Sequence, residues 1–194
     1  VPRIDAPSLA EHRARQERAL LQAAKDLLAE NLSPPSMAQV GKRAGLARSS
    51  VYQYFSSPDD LLQKVMEDVL PGWLRRVNER VSAAGSPGER VWAYIEANVA
   101  LFTGPEQAIA TTLAQALEPQ VLQGPMEHFH AELQVPLVEA LTDLGEPQVA
   151  EATDILNAMT VRACQPVRAG EPAPSAEESL ALVRRLLQGY LGLQ

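Results

Sequence analysis

The stretch that decides the fold runs from Ser36 to Phe55 and reads SMAQVGKRAGLARSSVYQYF. Ser36 is a good N-cap, and Gln39 three residues on completes a capping-box pattern. Met37, Val40 and Ala44 then recur on one side at helical spacing. Gly45 supplies the left-handed exit that a sharp turn requires. A second helix is predicted from near Ala47 to about Tyr54. In it Val51 and Phe55, four apart, face a core and leave Arg48, Ser49, Ser50 and Gln53 outside. A supporting helix, a glycine turn and an outer helix with polar residues at its N-terminal end make a helix-turn-helix. Arginine there can pair with guanine and glutamine with adenine, while serine and tyrosine suit phosphate oxygens. The candidate DNA-contacting residues are Ser36, Lys42, Arg48, Ser49, Ser50, Tyr52, Gln53 and Tyr54.

On the N-terminal side, Ser8 with Glu11 reads as another capping box. It opens a helix to about Asn31 with Leu20, Ala24, Leu27 and Leu28 inward. Arg13, Arg15 and Arg18 lie on its first half, placed either to screen phosphate charge or simply to solvate the surface. On the C-terminal side, Ser57 reads as an N-cap, Pro58 as the first helical residue, and Asp59 and Asp60 suit the positive end of the helix. Leu61, Leu62, Val65, Met66 and Val69 form its stripe. Pro71-Gly72 then marks either a bend or an end and restart.

The remaining two-thirds reads as helices throughout. One runs from about Glu89 to Thr103, with Val91, Ile95, Val99 and Phe102 inward. Gly104-Pro105 opens the next, carrying Ile109, Leu113 and Leu117. Gln123-Gly124-Pro125 reads as a break before the stripe Met126, Phe129, Leu133, Leu137, Leu141 and Leu144. Ala152, Ile155, Leu156, Met159 and Ala163 face inward on the eighth helix. The loop Gln165 to Pro174 precedes a third capping box, Ser175 with Glu178. The ninth helix is apolar on two sides: Leu180, Val183, Leu187 and Tyr190 on one, Leu182, Leu186 and Gly189 on the other. Such a helix wants two partners, one side for the core and one for a second subunit. β-branched alternating runs are absent and helix formers dominate, so the chain is expected to be all-α.

Of the 194 residues, 46% are hydrophobic, enough to bury a sizeable core. The single cysteine, Cys164, excludes an internal disulfide framework and fits a reducing cytoplasm. Its surroundings in sequence suggest a small buried apolar residue. No run approaches a membrane span, and no apolar signal-peptide core opens the chain. The net charge of −7 seems wrong for a nucleic-acid binder, but it is unevenly divided. Residues 1–56 hold 8 Lys/Arg against 5 Asp/Glu, whereas the rest holds 9 against 19. The division suggests a mildly basic head on an acidic body.

Catalytic chemistry finds no footing. Glu127 and His130 have the Glu-x-x-His spacing of di-iron bundles, but such a site needs that motif twice. The third histidine, His12, has no glutamate three residues before it. His128 and His130 point to different sides of a helix. No phosphate loop or nucleophile elbow is present. No catalytic residue, metal or cofactor is therefore expected.

The run AQVGKRAGLARSSVYQYFSSPDDLL resembles the DNA-binding signature of TetR-type transcriptional regulators. The likeness rests on Val40, Gly41, Ala44-Gly45, Val51-Tyr52, Tyr54-Phe55 and Leu61-Leu62, and extends over roughly residues 10–62. This sequence departs from the pattern at Ala47, Tyr54 and Pro58. The last two stand where the family usually touches phosphate, and proline has no donor to offer. The resemblance implies an N-terminal DNA-binding domain over 1–56 and a C-terminal ligand-binding and dimerisation domain over 57–194. It also implies a one-component regulator, a repressor released from a palindromic operator by a small organic effector. The expected partners are double-stranded DNA, that effector, and a second copy meeting the last two helices. Candidate pocket residues are the polar or aromatic side chains on inner faces: Trp92, Asn98, Phe102, Thr112, Phe129 and Met159. A constitutive DNA binder would need no hollow body, so a pocket of several hundred cubic ångströms would count against it. An all-α enzyme is the third alternative.

Overall fold

The computed structural model describes residues 9–166 and 172–193, apart from the side chains of residues 9, 105, 106, 119, 120 and 122. The Ser8 cap and positions 167–171 of the loop lie outside them. Among the described residues there are nine helices and no strand. They are α1 (Leu9–Asn31), α2 (Met37–Ala44), α3 (Arg48–Val51), α4 (Pro58–Ala83), α5 (Pro87–Thr103), α6 (Pro105–Ala116), α7 (Pro119–Leu144), α8 (Val149–Ala163) and α9 (Ala176–Leu191). Serine–glutamate or serine–glutamine capping boxes open α2, α5 and α9. The box at Ser86–Glu89 was not read from the sequence.

Two compact units emerge. One extends to Val69 and includes Ala108–Leu122; the other holds Leu70–Gln107 and the chain from Gln123 onward. In the first unit α1 packs on α2, and α2 on α3. Leu20, Ala24, Leu28, Val40, Val51, Phe55 and Leu61 are fully buried there. Lys25 of α1 meets Asp68 of α4 at 2.8 Å. In the second unit α5 packs against both α8 and α9. The guanidinium of Arg90 bonds Asp143 of α7 at 2.8 Å. Trp73 meets Phe129 edge-on, with ring centroids 5.9 Å apart. A Cβ at Gly88 would lie 1.9 Å from the Leu191 carbonyl oxygen, so only glycine allows α5 to come this close to α9.

One alternative is decided and three expectations are corrected. The chain does not end and restart at Pro71-Gly72 but is one helix through it: Val65, Val69, Trp73, Val77 and Val81 continue a buried four-residue ladder across the proline. Burying such side chains is worth about 1.5–3 kcal/mol each, against about 3 kcal/mol for one proline. Gln123-Gly124-Pro125 does not break the chain either: α7 runs on through Pro125, its seventh residue, and through Pro136. On α8, Ile155 is not inward but 66% exposed, and the buried face is Thr153, Leu156 and Thr160. Both threonine hydroxyls donate to their own helix, to Val149 O at 2.8 Å and Leu156 O at 2.7 Å. Satisfied in this way they bury without cost, and they turn the inner face away from the apolar stripe. On α9, Tyr190 is exposed and lies with Leu182 and Leu186, while Ser179, Val183 and Leu191 form the core side.

Candidate nucleic-acid interface and internal cavity

The Ser36 hydroxyl accepts from the Gln39 N–H at 3.3 Å and donates to Gln39 Oε1 at 2.7 Å. Gly45 ends α2 at φ 73°, a conformation other residues take only with strain. The turn is then fastened by the Leu46 N–H donating to Gly41 O at 2.8 Å. Gly41 also sets how near α3 can come, since a Cβ there would stand 2.8 Å from Leu46 O and 2.9 Å from Val51 Cγ2. Regular helix in α3 is shorter than the sequence suggests. Past Val51 the chain tightens, with Gln53 N–H donating to Ser50 O and Tyr54 N–H to Val51 O. That tightening delivers Phe55 into the core, where it is 1% exposed.

The candidate contact residues divide by what they touch. Lys42, Arg48, Ser49, Tyr52 and Gln53 have exposed side chains, and Ser50 is half-buried. The Arg48 guanidinium lies over the Tyr52 ring, 5.8 Å from its centroid. A hydrogen bond to Tyr52 raises the Arg48 pKa further. These two exposed side chains lie against one another at the start of the outer helix. Ser36 is committed to its cap. Tyr54 is half-buried, its hydroxyl donating to Gln16 Oε1 of α1.

Arg13 has a role the sequence did not disclose. Its guanidinium donates to Gln53 O at 2.9 Å and lies 5.1 Å from the centroid of the Tyr54 ring. A carbonyl at the end of a helix lacks an intrahelical partner, and here α1 supplies one. Nothing in the local sequence marks a pairing across forty residues.

The second unit carries a pocket of about 180 Å³ that is partly open to solvent. Tyr94, Asn98 and Phe102 of α5, His130, Leu133 and Gln134 of α7, and Asn157, Thr160 and Val161 of α8 line it. Two of the six pocket candidates, Asn98 and Phe102, are therefore on its wall. The buried Asn98 donates through Nδ2 to Tyr94 O at 2.9 Å. The Tyr94 hydroxyl donates to Asn157 Oδ1 at 2.9 Å. Burial pushes that hydroxyl's pKa up to about 12, so it remains a donor. The other four candidates lie elsewhere. Phe129 packs on Trp73. Trp92 lies beneath the Arg184 guanidinium of α9. Thr112 belongs to the first unit and bonds Ala108 O at 2.8 Å. Met159 faces a groove between α8 and α9. The i, i+4 pair Tyr94–Asn98 was the available signal for the cavity, since it puts two polar side chains on one buried helix face.

The α8–α9 surface carries a second feature. Ile155 of α8, and Leu182, Leu186 and Tyr190 of α9, are exposed apolar or aromatic side chains. Tyr190 donates its hydroxyl to Glu146 at 2.5 Å and thereby holds that carboxyl below its ordinary pKa. Cys164 is buried beside this groove, and desolvation raises its thiol pKa. Among the described residues no helix is long and apolar enough to cross a membrane.

An exposed polar helix start, set on a glycine turn and backed by a buried core, defines a helix-turn-helix DNA-binding protein. Residues 20–65 match the family model of bacterial regulatory proteins, tetR family. Over that segment the chain is similar to the TetR family of transcriptional regulators, and the relatives it matches are themselves named as transcriptional regulators. It is 24% identical over 167 residues to the HTH-type transcriptional regulator BetI of Brucella canis, spanning 82% of this chain and 80% of BetI. It is 28% identical over 105 residues to the regulator YfiR of Bacillus subtilis, spanning 54% of this chain and about half, 49%, of YfiR. Two solved structures share the fold. A TetR/AcrR-family regulator from Thermobifida fusca has a TM-score of 0.72 at 21% identity, over 89% of this chain and 96% of that one. A putative transcriptional regulator from Saccharomonospora viridis, in complex with choline, has a TM-score of 0.78 at 13% identity, over 90% and 96%.

Proposed function

We propose that this protein is a ligand-responsive, one-component repressor. Two copies bind a palindromic operator in the cytoplasm, and a small organic effector releases them. Residues 1–56 serve as the DNA-binding domain and 57–194 as the effector and dimerisation domain. Arg48 reads a base edge in the major groove, with Gln53 as the second reader. Tyr52, Ser49, Ser50 and Lys42 hold phosphates, with Ser36 and Tyr54 placing the outer helix. The observation that supports the reading is the Arg48–Tyr52 pair, exposed and in contact at the N-terminal end of α3, where such helices meet base edges.

The exposed strip on α8 and α9 supports a homodimer through those helices, as a four-helix bundle with two-fold symmetry. One α3 fills only one half-site, so operator half-sites would be about 34–36 Å apart or a multiple of that. The cavity of about 180 Å³ is the candidate effector site. It is smaller than the roughly 300 Å³ at which drug-sized sites begin, which favours a small effector. Selection of bound fragments from genomic DNA tests the reading. Recovery of inverted repeats with that spacing is expected, and recovery of no preferred sequence would overturn it.

A further inference from the structure

We propose that the effector is a small, uncharged molecule, a ring-sized apolar body with a carbonyl or amide group that exchanges hydrogen bonds with the carboxamides of Asn98, Gln134 and Asn157. This deepens the reading above and rests on it, since it names the ligand class of the same cavity. The argument has three parts: charge, hydrogen-bonding capacity and size.

No Asp, Glu, Lys or Arg is among the residues lining the cavity. An ionised ligand that enters such a space gives up part of its hydration and finds no opposite charge to replace it. His130 is the one lining residue here that could carry a positive charge, and its ring lies against Phe129 with centroids 5.6 Å apart. An anion would otherwise have only neutral dipoles to meet. A cation would need a carboxylate or a closed aromatic cage, and the aromatic lining is limited to Tyr94, Phe102 and the imidazole.

The hydrogen-bonding capacity is of the complementary kind. A carboxamide offers two donors and one accepting oxygen. At Asn157 the oxygen already accepts from Tyr94, which fixes the amide's orientation and leaves its NH₂ as the donor end. Thr160 donates to its own helix and so contributes chiefly its methyl group and shape. A ligand carbonyl accepting from carboxamide NH₂ groups matches this wall, with Phe102 and Leu133 against its apolar body.

Size restricts the class further. A cavity of about 150 Å³ is known to hold benzene. About 180 Å³ leaves room for a ring and one small substituent.

Three isosteric probes separate charge from shape: benzamide, benzoate and benzamidine, the last a cation. Each would be titrated into the full chain under one set of buffer conditions. Nitrogen–proton correlation spectra would follow the side-chain NH₂ resonances of Asn98, Gln134 and Asn157. Benzamide is expected to move all three saturably, with benzoate and benzamidinium at least ten-fold weaker. The Gln134→Leu variant, altered at a half-exposed side chain and expected to fold, should bind benzamide several-fold more weakly. Tighter binding of either ion would overturn the neutral class while leaving the cavity as the effector site. Silence from all three probes would overturn the assignment of ligand class and cavity together. A screened compound that released operator DNA without moving these amides would keep the regulatory reading and place its effector elsewhere.

Discussion

Replacing Gly41 with alanine separates two reasons for a glycine inside a helix. In most helices glycine is a cost, and alanine is about 0.8–1 kcal/mol better. At position 41 the added methyl would meet Leu46 O at 2.8 Å and Val51 Cγ2 at 2.9 Å, against about 3.4 Å for ordinary contact. One neighbour is backbone and the other is packed in the core, so α3 must retreat by about 0.6 Å. Overpacking of this kind costs about 1–3 kcal/mol. The net change is then a loss of up to about 2 kcal/mol, with melting lowered by about 2–4 °C for each kcal/mol. The larger effect falls on DNA, because base-edge pairs discriminate through geometry at about 1–3 kcal/mol each. A ten-fold or greater loss of operator affinity is expected by gel shift. Gly72→Ala and Gly124→Ala are the controls. The nearest atom to a Cβ is 3.8 Å away at Gly72, and nothing lies within 4 Å at Gly124. Both controls should stabilise by about 0.5–1 kcal/mol. A Gly41→Ala protein that melts no lower than the wild type and binds operator equally well would refute the claim that α2 and α3 are in contact through this glycine.

Three further outcomes follow from the same structure. Arg48→Ala should cost roughly 1–3 kcal/mol on a specific site and relax base preference, whereas Tyr52→Phe should weaken binding with preference kept; unchanged site choice in Arg48→Ala would remove Arg48 from base readout. Leu186→Glu places a charge on the exposed strip of α9 and should yield monomers by sedimentation at micromolar concentration, while a monomeric wild type would reject the dimer proposal. Glu89 and Glu178 are each held below the ordinary glutamate pKa by hydrogen bonds from Ser86 and Ser175. Their folded pKa lies below the unfolded one, so the caps contribute fully above the unfolded value and that contribution is lost as pH falls through the folded value. Carbon-detected titration should find both carboxyls titrating below the ordinary glutamate range, and Ser86→Ala and Ser175→Ala, which remove the hydroxyl but keep the backbone N–H that contributes most, should move each only part of the way back up.

What the sequence disclosed, and what it withheld, divides along a physical line. The helix-turn-helix was legible because each of its determinants is local. Ser36 caps through Gln39, Gly45 turns, and Val51 and Phe55 bury four residues apart, all within twenty positions. The inner face of α8 was misjudged because periodicity was counted on apolar residues alone. Thr153 and Thr160 return their hydroxyls to the carbonyls four residues back and then bury like valines, while Ile155 is left outside. A rule that counted threonine as potentially apolar in a helix would have found the right face.

The candidate sites were legible in proportion to their locality. Arg48 and Tyr52, four apart, could be paired by inspection. The hold of Arg13 on Gln53, and of Tyr94 on Asn157, joins residues 40 and 63 positions apart. Such contacts have no signature in a single sequence, because helix packing alone decides which polar ends meet. The same reasoning explains why the cavity candidates scattered. Polar or aromatic character on an inner face is shared by pocket walls and by core: Phe129 meets Trp73 in the core, while Asn98 faces the cavity. What distinguishes the two is the space left between three helices. That space depends on the side chains contributed by the others, so the candidate effector site is the part of this protein that had to be seen assembled.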